Sequence, residues 1–163
     1  MSCTFADKRE RWESNFIAYQ DFFRRAVGSG VSPRFEMALP DKFVEQIKNS
    51  DAVVMSGGDD YLLLAYLKQY DLPAIWEGKV VATNSASSDA LAACFWAGDW
   101  RQCFAGLGIL PIKFIPHYQS EFGADDPRGP IDWAKAHQEL AAFGVPNLPI
   151  HALREGEFIV IEK

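Results

Sequence analysis

Long apolar runs are missing from this 163-residue chain. No stretch reaches the roughly 18 uninterrupted apolar residues that a membrane-spanning helix needs. The N-terminus turns charged after Phe5, too early for the apolar core of a signal peptide. These absences predict a cytosolic protein with no membrane partner. Basic charge is also scarce: 16 Lys and Arg stand against 22 Asp and Glu, a net charge of −6. That balance excludes the positive footprint of a nucleic-acid binder and suits a small neutral or cationic ligand. Cysteine is limited to Cys3, Cys94 and Cys103. An odd set without metal-ligand spacing excludes a disulfide framework and fits reduced thiols. Internal repeats, low-complexity tracts and linkers are absent too. With 48% hydrophobic residues, the chain is long enough for one substantial core and reads as a single domain.

What is present is a repeated alternation of strands and helices. Trp12, Phe16, Tyr19, Phe22, Phe23 and Val27 recur at spacings of three and four. They predict an amphipathic helix over 6–27 with its apolar stripe in the core. A short strand is expected at Phe35 to Leu39, then a helix from Pro40 to Ile47. Asp51 to Ser56 is an apolar, β-rich run that stops at Gly57 and Gly58, before a helix over about Tyr61 to Tyr70. The same grammar follows at once. Lys79 to Asn84 reads as a strand, Ser85 to Ser87 as a tight turn, and Asp89 to Trp96 as a buried helix. Two strand–turn–helix units imply a parallel sheet. Further strands are expected at Ile112 to Ile115, Pro149 to Leu153 and Glu157 to Ile161, with a helix from Ile131 to Phe143. Gly123 to Pro130 reads as the mobile loop. The class is three-layer α/β/α with a mainly parallel sheet.

Parallel sheets collect ligands at the carboxyl ends of their strands, so the turns after Met55, Asn84 and Ile115 should face one crevice. Ser85 sits in the sharp strand-to-helix turn that exposes a nucleophilic hydroxyl and aims the next N–H at an oxyanion. Taken alone, the same turn fits Ser85, Ser87 and Ser88 as helix caps, the commoner role of serines at helix starts. His117 bears on the choice, because it follows Ile112 to Ile115 through Pro116 and should emerge at the same edge. A serine hydroxyl needs a neighbouring imidazole to take its proton. His137, inside a helix, and His151, inside a strand, are less well placed. The Ser56-Gly57-Gly58 turn offers backbone N–H groups for an oxyanion wall but lacks the lysine and spacing of a phosphate-binding loop. Asp59 and Asp60 suit the positive end of the following helix.

Five ordered segments carry a resemblance: Ser56 to Leu64, Asn84 to Ser88, Gly106 to Pro111, Pro116 to Tyr118, and Leu153 to Phe158. Over 52–161 the chain resembles the peptidase E and cyanophycinase family. The resemblance implies a class I glutamine-amidotransferase-like (flavodoxin-like) fold, a serine nucleophile, and no metal or organic cofactor. It makes Ser85 the nucleophile, His117 the base, Glu155 the acid of the triad and the Gly58 and Ala86 N–H groups the oxyanion hole. Asp99 is the alternative acid. The implied activity is a serine-type peptidase, dipeptidase-like, acting on small peptides with a preference for N-terminal aspartate. The substrate carboxylate would then need a cation, for which Arg101, Lys113, Arg128 and Arg154 are candidates. Three positions depart from the family: Thr83 and Ser87 replace the glycines flanking the nucleophile, and Ser56 replaces the first glycine of the earlier turn. The chain also reads as shortened at both ends, with Ser2 to Phe5 matching the family's second strand. Sheet edges left bare in this way favour a homodimer. The altered elbow motivates the alternative of a catalytically inactive ligand-binding or assembly protein. A cysteine-dependent amidotransferase is excluded, because no cysteine occupies the elbow.

Overall fold

A computed structural model describes residues 12–162; the expected strand at Ser2 to Phe5, the first residues of the N-terminal helix and Cys3 lie outside that range. The chain divides into two compact units, one ending at Ser87 and one beginning at Ser88. Both are mixed α/β, and among the described residues three of the four strand pairings are parallel.

The first unit contains α1 (Trp12–Val27), α2 (Phe43–Lys48), β1 (Ala52–Met55), α3 (Asp60–Leu67), α4 (Leu72–Ile75) and β2 (Val80–Thr83). The amphipathic pattern correctly finds α1, but none of its residues is buried, so its apolar stripe is not core. Phe43 and Ile47 of α2, Val53 and Met55 of β1, and Leu63 and Leu67 of α3 bury their side chains instead. The segment expected as a strand at Phe35 to Leu39 is irregular. The reason is Gln46, a buried amide that captures this backbone before a strand can. Its Oε1 accepts from the Leu39 N–H at 2.8 Å, and its Nε2 donates to the Met37 carbonyl at 2.9 Å. β1 and β2 pair in parallel, with Ala52 opposite Val80 and Met55 opposite Thr83. That register brings the Ser56 and Asn84 turns to the same end of the pair. Asp59 caps α3 by accepting from the Leu62 N–H at 2.9 Å, the role expected of an acid at a helix start.

A short helix, α5 (Ala86–Leu91), carries the chain across the division, and β3 (Ala92–Ala97), β4 (Gln102–Ala105), β5 (Leu110–Ile115), α6 (Trp133–Ala142) and β6 (Ile150–Ala152) follow. The expected helix at Asp89 to Trp96 is thereby corrected: it starts earlier and ends at Leu91, and Ala92–Ala97 is a strand. Five of that strand's six residues are buried, and a strand buried on both faces has no alternation to distinguish it from a buried helix. The sheet order is β4-β3-β5-β6, antiparallel only between β3 and β4. Gly106 explains why its motif needs glycine. A Cβ there would lie 2.1 Å from the Ala92 carbonyl oxygen, in the crossing where the Gly106 N–H bonds Ala93. α6 packs Ala136 and Leu140 against Cys94, Trp96 and Ile115 of the sheet. The expected strand at Glu157 to Ile161 is not formed. A turn instead joins Arg154 to Glu157, and Phe158 is 81% exposed.

Candidate active site

The strand-to-helix turn of the first unit is strained at one residue. Ser85 stands between β2 and α5 with φ of +50°. A side chain in this left-handed region costs about 1–3 kcal/mol, and such positions gather at functional sites. Its neighbours explain how the turn is built without the flanking glycines. Neither Thr83 nor Ser87 has positive φ, so neither position requires glycine's freedom. Ser87 is fully buried. Its hydroxyl accepts from the Asn84 N–H at 2.9 Å and lies 2.7 Å from the Met55 carbonyl and 2.9 Å from that of Asn84, to one of which it donates. The extra side chain therefore ties the end of β1 to the elbow. Asn84 makes a second tie: its Oδ1 accepts from the Gly57 N–H at 2.8 Å. Gly57 must lack a side chain, because a Cβ would meet the Ser85 Cβ at 2.8 Å. Gly58 is exposed, with φ of +147° that suits glycine, while Ala86 is buried and Ser56 fills the first glycine position as a buried side chain.

In the second unit the parallel register of β5 and β6 sets Ile115 opposite Ala152, and the Leu153 N–H continues it to the Ile115 carbonyl at 3.0 Å. The Tyr118 N–H then bonds Leu153 at 2.9 Å, so the two strand ends leave the sheet side by side. They carry His117 and Glu155. Nδ1 of His117 meets Oε1 of Glu155 at 2.5 Å. A carboxylate on Nδ1 favours the tautomer whose proton lies there, leaving Nε2 as the basic nitrogen. Phe122 lies flat against the imidazole, with centroids 4.5 Å apart and planes 8° from parallel, which fixes the ring's plane as well as its edge. Asp99 is elsewhere, on the exposed turn after β3, where its backbone carbonyl accepts from Arg128 at 2.8 Å. His137 and His151 are half-buried on α6 and β6.

The candidate cations separate by environment. Lys113 is buried in β5, and its Nζ donates to the Leu140 and Ala141 carbonyls at 2.9 Å each, capping α6. Arg128 is held by Asp126 at 2.5 Å, and Arg101 donates to the Gly129 carbonyl. These two arginines pin the segment expected as a mobile loop. The Arg128 hydrogen bonds hold the Asp126 carboxyl well below the usual aspartate range. Arg154, exposed and next to Glu155, donates to the Gln119 side chain. Sequence reasoning missed Asn84, Ser87 as a tie, and Phe122. Asn84 alone had a local signal, its place beside the turn serine.

No helix among the described residues is long and apolar enough to cross a membrane. No curated protein matches the chain. The model of peptidase family S51 matches residues 13–163, in agreement with the segments that resemble peptidase E and cyanophycinase, and the chain accordingly belongs to this family of serine peptidases.

Proposed function

We propose that the protein cleaves small peptides, dipeptides with N-terminal aspartate among them, with Ser85 as nucleophile, His117 as base and Glu155 as its orienting acid. The observation that carries the reading is the left-handed Ser85 in a strand-to-helix turn. A helix cap ordinarily has extended backbone and needs no such strain. In the reaction the Ser85 Oγ bonds to the scissile carbonyl carbon while its proton passes to Nε2 of His117. The oxyanion that forms is held by the Gly58 and Ala86 N–H groups. Collapse breaks the C–N bond as His117 returns the proton to the departing amine, and water, deprotonated in turn by His117, releases the acyl group. Glu155 stabilises the intervening imidazolium. The test compares wild type with Ser85→Ala on Asp-containing dipeptides and chromogenic aspartyl substrates, and follows labelling by a fluorophosphonate. Turnover and labelling lost only in the variant support the assignment. Equal turnover in both overturns the nucleophile, and peptide binding without turnover or labelling in wild type identifies an inactive binding protein.

A further inference from the structure

Between Thr83 and the Ser85 nucleophile position, the elbow carries a side chain with a defined task. We propose that Asn84 is a positioning residue of the oxyanion hole, acting through the Gly57 peptide, an inference that rests on the serine-peptidase reading above. Three observations within the first unit carry it. The Asn84 side-chain oxygen accepts from the Gly57 N–H at 2.8 Å, across 27 positions of sequence. Gly57 lies so close beneath Ser85 that no Cβ fits between them. The backbone of Asn84 is itself anchored, since its N–H donates to the buried Ser87 hydroxyl that also contacts Met55.

The consequence for chemistry follows from which amides remain available. Asn84 occupies the Gly57 N–H, so this amide is withdrawn from oxyanion duty, and the adjoining Gly58 N–H is the next donor along the turn. The Gly58 N–H lies in the next peptide plane, so its direction depends on what holds the Gly57 peptide and on the two backbone dihedrals of Gly57, a residue with wide conformational freedom. The Asn84 bond supplies that hold from the residue adjoining the nucleophile. Nucleophile and oxyanion donor are therefore set by one short segment, and a shift of one is followed by the other. Asn84 touches no reacting atom. Its effect is confined to the transition state, where donor placement matters most.

The experiment uses the full chain with Asn84→Ala and Asn84→Gln. The first removes the acceptor, and the second keeps amide chemistry while placing it about one methylene too far. Because Asn84 is exposed, both variants are expected to fold with a thermal midpoint near that of wild type. Direct removal of an oxyanion donor costs about 10²–10³ in kcat. Loss of its positioning group is expected to lower kcat and slow fluorophosphonate labelling of Ser85 by about 10- to 100-fold, with KM within about twofold. Gly57 amide exchange is expected to be faster in both variants than in wild type. A purely structural role would lower the midpoint and leave kcat and the labelling rate of the folded fraction unchanged, which overturns the proposal. So does wild-type labelling in both variants when wild type itself is labelled. If wild type is neither labelled nor active, the peptidase reading falls and this inference falls with it.

Discussion

Gly57 is where the geometry of the elbow is least forgiving. Its φ is not positive, so an alanine there meets no backbone penalty of the left-handed kind; the obstacle is steric. The added methyl would lie 2.8 Å from the Ser85 Cβ and 3.2 Å from its Oγ, and that Cβ is not the free end of a flexible side chain. Gly57→Ala is expected to displace Ser85 and lower kcat by at least about 10-fold, since misplacement by 1 Å alone costs on the order of 10². Steady-state kinetics beside a denaturation curve check this; unchanged kcat would mean that the Ser85 position does not matter. Cys103 gives a second residue-scale expectation. Burial, then the neighbouring Glu139 and Cys94, push its thiol up to about 11 from 9.0. Its thiolate at pH 7.5 should be about a hundredfold scarcer than that of an unperturbed thiol, and iodoacetamide should alkylate it correspondingly slowly. Peptide mapping after timed alkylation reads this directly.

At the scale of elements, α6 is secured at both ends by side chains. Asp132 accepts from the Lys135 N–H at 3.0 Å at its start, and Lys113 of β5 donates to two terminal carbonyls at its end. Lys113→Met keeps the length and apolar stem but removes the donor, taking the ammonium from the Ala141 carbonyl and leaving the Leu140 carbonyl with the Phe143 N–H. About 1–3 kcal/mol of stability should be lost, seen as a lower urea midpoint with an unchanged slope. A neutral result would show that water replaces the ammonium. Lysine in a strand reads from sequence as a solvated residue, so this cap was not legible in the pattern. The apolar run Ala92–Ala97 was legible as buried but not as a strand, because its partners β4 and β5 lie beyond the local window. Glu157 to Ile161 has strand-like residues but no partner strand among the described residues, and propensity without a partner makes no ladder.

For the whole molecule, the acidic balance and Asp126 together shape the response to pH. The Asp126 carboxyl is depressed, chiefly by its hydrogen bonds to Arg128. A group with a lowered folded-state pKa contributes stability that is present above the ordinary aspartate range and is lost as pH falls through the folded value. Wild type should therefore lose stability as pH drops below about 4, the ordinary aspartate value. Asp126→Asn should show a shallower decline over that window and a lower starting stability. Thermal midpoints from pH 6 down to pH 2.5 test it; parallel curves would show that the Asp126–Arg128 pair adds nothing to the fold.

The sequence by itself determined the alternation of strands and helices, the turns that carry Ser85 and His117, and the family, because strand, turn and helix signals are local and the motif segments keep their order. It also placed Asp59 and Asp60 at the positive start of a helix, where the structure makes Asp59 the cap. Only the tertiary structure decided that Glu155 and not Asp99 meets His117, that Asn84 holds Gly57, and that Lys113 serves α6. Each of these joins groups 27 or more positions apart through strand register and burial, which no local pattern encodes. The left-handed Ser85 belongs with them: any serine can cap a helix, and its strained backbone became visible only where β1, β2 and the Gly57 turn confine it.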